Sequence, residues 1–256
     1  MKDNILLILP ALTAGLLILA SHVPLGRRVL QRGIIFIDIA IAQFAALGMV
    51  IIHVLQIDSV WISQLGALSA ALSGALLFNL TERLWPQIQE AIIGSGFVVS
   101  SSLVILLLSY DPHGGEHLQE LLVGQILWIN WADLWLLGGM SLLALFAWFG
   151  LGLERSRAGF YLLFALLITF SVQLIGIYLV FASLILPALA GRQYSLRAGL
   201  AIAYAIGALA YIAGLMLSLW LDLPAGALIV CTLTTLTLSW LFLLHQRAYF
   251  TKSSTS

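Results

Sequence analysis

Nine apolar runs, each close to the length of one bilayer crossing, follow one another with little chain left between them. They occupy residues 4–21, 34–55, 60–80, 91–109, 131–151, 159–175, 177–190, 198–220 and 225–245. A hydrocarbon core of ~30 Å takes about 20 residues of α-helix, and a backbone in lipid must satisfy its own hydrogen bonds. The pattern predicts an all-α fold, a polytopic membrane helical bundle of about eight to nine transmembrane spans. The residue alternation of a membrane β-barrel is absent. Only 9% of the residues are charged, far below the ~25% of soluble domains. Residues 1–250 read as one transmembrane domain and 251–256 as a short disordered cytoplasmic tail. The first run is too long for a signal-peptide core and reads as an uncleaved span.

The links between runs sort by charge. Those after the first, third, fifth, seventh and ninth carry Arg27, Arg28 and Arg32, then Arg83, then Arg155 and Arg157, then Arg192 and Arg197, then Arg247. Those after the second, fourth and eighth carry His53, Asp58, Asp111, His113, Glu116, His117, Glu120 and Asp222, without Lys or Arg. The positive-inside rule places the arginine links and the C-terminus in the cytoplasm, with the N-terminus outside. It also divides residues 159–190. A single span would set Arg155 and Arg157 across the membrane from Arg192 and Arg197, whereas two short passes breaking near Gly176 keep both pairs inside. Pro187 marks a kink or a cytoplasmic exit.

Several function classes drop out. The net charge is zero, so no nucleic-acid partner is indicated. One cysteine, Cys231, allows neither an internal disulfide nor a CxxC metal cage. The lysines are Lys2 and Lys252 alone, so no P-loop is present and any ATP-driven work belongs to a separate chain.

Two places carry chemistry. Asp38 interrupts the second run, and Gln43 follows it. An intramembrane carboxylate is costly and marks an ion path by default. The alternative is a structural aspartate paired with Arg32, ~9 Å away along a continuous helix. Gln43 suits an interhelical hydrogen bond. His113, Glu116, His117 and Glu120 fall on one helical face at i, i+3, i+4 and i+7, although Gly114 and Gly115 weaken that helix. The same string reads H-x-x-E-H, a metalloprotease pattern with Glu116 as base, but no third ligand is evident. His53, Asp58 and Asp133 lie near the same outer side. His22 and His245 fall at cytoplasmic interfaces without an assigned role. Trp128, Trp131, Trp135 and Trp148 bracket the fifth span as interfacial anchors. Gly176 and Pro187 shape a broken helix pair of the kind that lines transport paths.

An ordered set of segments resembles the permease subunits of zinc/manganese/iron ABC importers. These are Arg32-Gly33-Ile34-Ile35-Phe36-Ile37-Asp38, then Gln89 to Gly94 (QEAIIG), then Leu122 to Ile129 (LVGQILWI). Ser171 to Arg192 (SVQLIGIYLVFASLILPALAGR) and Asp222 to Val230 (DLPAGALIV) complete it. The resemblance implies a non-enzymatic permease in the bacterial inner membrane. It implies a homodimer working with a cytoplasmic ATP-binding subunit and an extracytoplasmic metal-binding protein. A divalent metal ion, zinc or manganese, would be the transported substrate rather than a stably bound cofactor. In that frame Asp38 lines the ion path, and His113, Glu116, His117 and Glu120 capture ions at the outer side. Gln43, Gly176 and Pro187 serve the path or its gating.

The chain departs from the family pattern twice. Family members carry D-x-x-S-H, whereas Asp38 is followed by Ala42 and then Gln43. Five residues turn a helix by about 500°, which puts Gln43 roughly 140° from Asp38. The long cytoplasmic segment before the glycine-to-proline signature is also shortened, to Glu154-Arg155-Ser156-Arg157. A proton-coupled secondary transporter is the alternative of a different class.

Overall fold

The computed structural model describes residues 2–57, 59–109, 111, 114–153 and 156–253; for 2–7, 117, 120 and 247–253 it describes the backbone alone. Among these residues the chain is helical without strands. Its helices are α1 (Lys2–Arg32), α2 (Ile37–Val54), α3 (Val60–Leu84), α4 (Gln89–Leu108), α5 (Gly114–Val123), α6 (Trp131–Leu145), α7 (Arg157–Ile175), α8 (Ile177–Gly191), α9 (Leu196–Leu221) and α10 (Ala225–Ser253). Eight of them are long and apolar enough to cross a membrane, and α8 is a shorter apolar helix. The polytopic bundle is as expected. α10 also takes in 251–253, part of the segment expected as a tail.

Side-chain pairings sort the helix ends into two groups. At one end Arg32 and Arg157 meet Glu82, the Phe36 amide meets Glu90, and Arg27 reaches the carbonyls of Gly191 and Tyr194. At the other His53 meets Asp111, Gly124 abuts the Ile175–Gly176 backbone, and Gly226 abuts the Val123 carbonyl. We call the first, arginine-bearing end the inner end and the second the outer end. α7 and α8 therefore run in opposite directions, broken at Gly176, whose φ of +80° suits glycine. A Cβ there would also overlap the Gly124 amide.

α8 is only 15 residues, ~22 Å of helix. It can be that short because protein, not lipid, surrounds it. It packs against α1, α9 and α10, and most of its side chains are buried. Small residues set these approaches. A Cβ on Gly26 of α1 would overlap the Leu184 carbonyl of α8, and one on Gly48 of α2 the Gly66 carbonyl of α3. Close backbone contact is how helices associate without a hydrophobic driving force in lipid.

Three boundary expectations are corrected. α1 does not end near residue 21 but continues through Pro24 to Arg32; proline is tolerated in membrane helices, and Arg27 spends its donors on α8–α9 carbonyls. His22 is consequently not interfacial: it is buried, with Nδ1 3.0 Å from the Ile18 carbonyl. Of the two readings of Pro187, the cytoplasmic exit is not taken, since α8 runs on to Gly191. Trp148 is buried in a π-helical turn (Phe146–Gly150) with its ring 6.0 Å from Phe160, while Trp128, Trp131 and Trp135 are exposed as anchors should be.

Candidate cation site at the start of helix α2

The chain turns sharply between α1 and α2. Gly33 takes φ +70°, which a side chain would resist, and α2 starts at Ile37 instead of 34. Asp38 thus stands in the first turn of α2, toward the inner end of the bundle rather than at mid-span. It is 1% exposed. Neither carboxylate oxygen has a hydrogen-bond partner among the described residues. On its own helix Ile37, Ile41 and Ala42 are all buried beside it. The aligned amides of a helix N-terminus favour a negative charge by roughly 0.3–1 kcal/mol. That offsets only a small part of the cost of burying an unpaired carboxylate. A positive charge is what this position lacks.

Arg32 does not supply it. The alternative reading, a pairing with Asp38, fails because Gly33 ends the helical path between them. Arg32 turns to Glu82 of α3, 3.9 Å away, and its guanidinium lies 4.2 Å over the Phe160 ring. Arg157 approaches the same Glu82 carboxylate at 3.5 Å. Tyr161 of α7 accepts from Gln89 Nε2 at 3.2 Å; the same nitrogen also donates to the Phe78 carbonyl at 2.9 Å. Glu90 of α4 accepts from the Phe36 amide at 3.1 Å, which satisfies the donor of the residue just before α2. These groups tie α1, α2, α3, α4 and α7 together at the inner end, where α2 begins. Sequence reasoning missed Glu82, Glu90 and Tyr161. The available signal was the placement of Glu82 and Glu90 at span ends on the arginine side, where a carboxylate finds a partner.

The remaining candidates are spread along the bundle. Gln43 is buried at 5% exposure, on a different face of α2. Ala42, one turn above Asp38, is 1% exposed and brings no donor where the family pattern has histidine. Gly176 and Pro187 lie at the outer start and in the inner half of α8. Glu116 is exposed on α5, which forms despite its two glycines because Gly114 packs under the Leu108 carbonyl. His113 and Asp58 lie outside the described residues, as do the side chains of His117 and Glu120. Among the described residues no three His, Cys, Asp or Glu side chains gather as a metal cluster. Asp133 does not serve the outer side as a ligand: it closes a capping box on Asn130 at the start of α6.

The ABC 3 transport family model matches residues 4–151 and 147–244. The chain belongs to the ABC 3 transport family. Its ordered segments resembled metal-ion ABC permeases, and that assignment holds at the level of the family. An uncharacterized membrane protein of Synechocystis sp. is 25% identical over 241 residues, covering 86% of this chain and 84% of that protein. Among solved structures, PsaBC from Streptococcus pneumoniae in complex with Fab aligns with a TM-score of 0.73 at 20% identity. The alignment covers 93% of each chain. An inward-facing ABC transporter assigned to the metal-chelate type aligns at 0.67 and 19% identity, over 91% of this chain and 85% of that one. At these identities the structural likeness establishes a shared fold. The chain is a multi-pass membrane transporter subunit of the ABC class rather than an enzyme.

Proposed function

We propose that this chain is the membrane permease of an ATP-driven importer of divalent metal ions, zinc or manganese. The observation that carries the proposal is Asp38: a fully buried carboxylate with no hydrogen-bond partner among the described residues, while Arg32 and Arg157 turn to Glu82 instead. Membership of an ABC transport family and a fold shared with a metal-chelate type transporter support it. An anion without a cation in a dry site is expensive, and an ion shedding water on its way through meets there the charge it needs. A carboxylate without a neighbouring imidazole favours a passing contact over stable coordination.

The rest of the machine follows from the family. ATP is hydrolysed by a cytoplasmic ATP-binding subunit, since this chain has no P-loop lysine. A metal-binding protein delivers the ion at the outer end, and two copies of this chain pair as a homodimer. The inner end, with its arginines and the C-terminus, faces the cytoplasm of a bacterial cell. Gly176, at the break between α7 and α8, is the hinge of the path, with Pro187 toward the inner end of α8 and Gln43 on α2.

The test is metal uptake into vesicles holding this chain, with and without the ATP-binding subunit and ATP, zinc and manganese competing. Uptake confined to vesicles with both subunit and ATP is expected. Uptake that follows a proton gradient without any ATPase would overturn the proposal.

A further inference from the structure

The outer end of the bundle holds a cavity of about 280 Å³ that the family assignment leaves without a role. Its lining includes Met49 and His53 of α2, Ser63 of α3 and Gln173 of α7. His53 Nε2 stands 2.8 Å from the Asp111 carboxylate, just beyond the end of α4. The Gln173 amide nitrogen is buried with no hydrogen-bond acceptor among the described residues. An imidazole, an amide and a hydroxyl thus line one opening in an otherwise apolar bundle, and a carboxylate meets the imidazole there.

We propose that His53 and Asp111 form an outer receiving site for a divalent cation, with Gln173 and Ser63 as weaker oxygen donors. The proposal rests on the metal-importer reading above. Its geometry is favourable. An ion bound to both side chains at about 2.1 Å on adjacent octahedral positions holds the donors about 3.0 Å apart. The His53–Asp111 spacing of 2.8 Å is within a few tenths of that, so the ion replaces the shared proton with little rearrangement. Two strong donors and two weak ones make a site that fills and empties, as a transport path requires. The site also lies in line with Asp38. Roughly four turns of α2 separate His53 from Asp38, about 22 Å, and bring the two within about 60° on the helix face. On that face between them stand Ala42, Ala45 and Met49, none of which offers charge.

The experiment uses the full chain in lipid nanodiscs, without ATPase or binding protein, titrated with Co2+ and followed by its visible absorption, with Zn2+ as competitor. Wild type is expected to bind. His53→Ala and Asp111→Asn should each weaken binding by at least about tenfold. Asp111→Asn keeps a hydrogen bond to the imidazole, so a merely structural latch would leave its titration at the wild-type value, and that result overturns the proposal. So does a signal lost only when His113 and His117 are replaced together. If ATP-driven uptake fails in wild type while His53-dependent binding persists, the importer reading falls and the site stands. Normal uptake with binding indifferent to His53 and Asp111 gives the reverse.

Discussion

Three carboxylates stand at the inner end where α2 begins, and the fold treats two of them unlike the third. Glu90 accepts from the backbone of the α1–α2 turn, and nearby Glu82 gathers Arg32 and Arg157. Asp38, in the first turn of α2, is enclosed and left without a hydrogen-bond partner among the described residues. The first region is architecture: five helices are fixed by charges that answer one another. The second is a vacancy of charge that the first keeps rigid. A protein interior tolerates an unpaired carboxylate only if something else depends on it.

The contrast breaks if the two regions respond alike to substitution. Glu82→Ala leaves two guanidinium groups without their shared anion and should have the largest effect on stability, a loss of about 2–3 kcal/mol. Thermal unfolding of the detergent-solubilised chain measures it. Tyr161→Phe removes one acceptor for Gln89, which keeps its Phe78 carbonyl; a loss of about 1 kcal/mol is expected in the same assay. Asp38→Asn removes no interaction and relieves a buried charge, so stability should stay within about 0.5 kcal/mol of wild type or rise. A loss as large as that of Glu82→Ala would show that Asp38 is structural after all, and the distinction between the regions would be gone.

Much of this architecture is legible in the sequence because lipid permits so few solutions. Apolar run lengths gave the crossings, and the alternation of arginine links gave the antiparallel α7–α8 pair around Gly176. Asp38 stood out as the one carboxylate inside the second run. What could not be read was who pairs with whom. Arg32 and Asp38 look adjacent on a continuous helix, and only the positive φ of Gly33 sends Arg32 toward Glu82 instead. The extension of α1 to Arg32 depends on carbonyls of Gly191 and Tyr194, more than 160 residues away. The burial of Trp148 depends on Phe160 of another helix. The His53–Asp111 pair joins two outer links that sequence could place on one side but not in contact.

The central claim is that the unpartnered charge of Asp38 serves the passing ion. It is tested most directly by ATP-driven uptake of zinc and manganese with wild type, Asp38→Asn and Asp38→Glu in matched amounts of assembled transporter. The account expects Asp38→Asn, isosteric and folded, to lose at least about 100-fold in uptake, equivalent to about 2.7 kcal/mol, with Asp38→Glu recovering part of it. Uptake by Asp38→Asn at the wild-type rate would contradict the account.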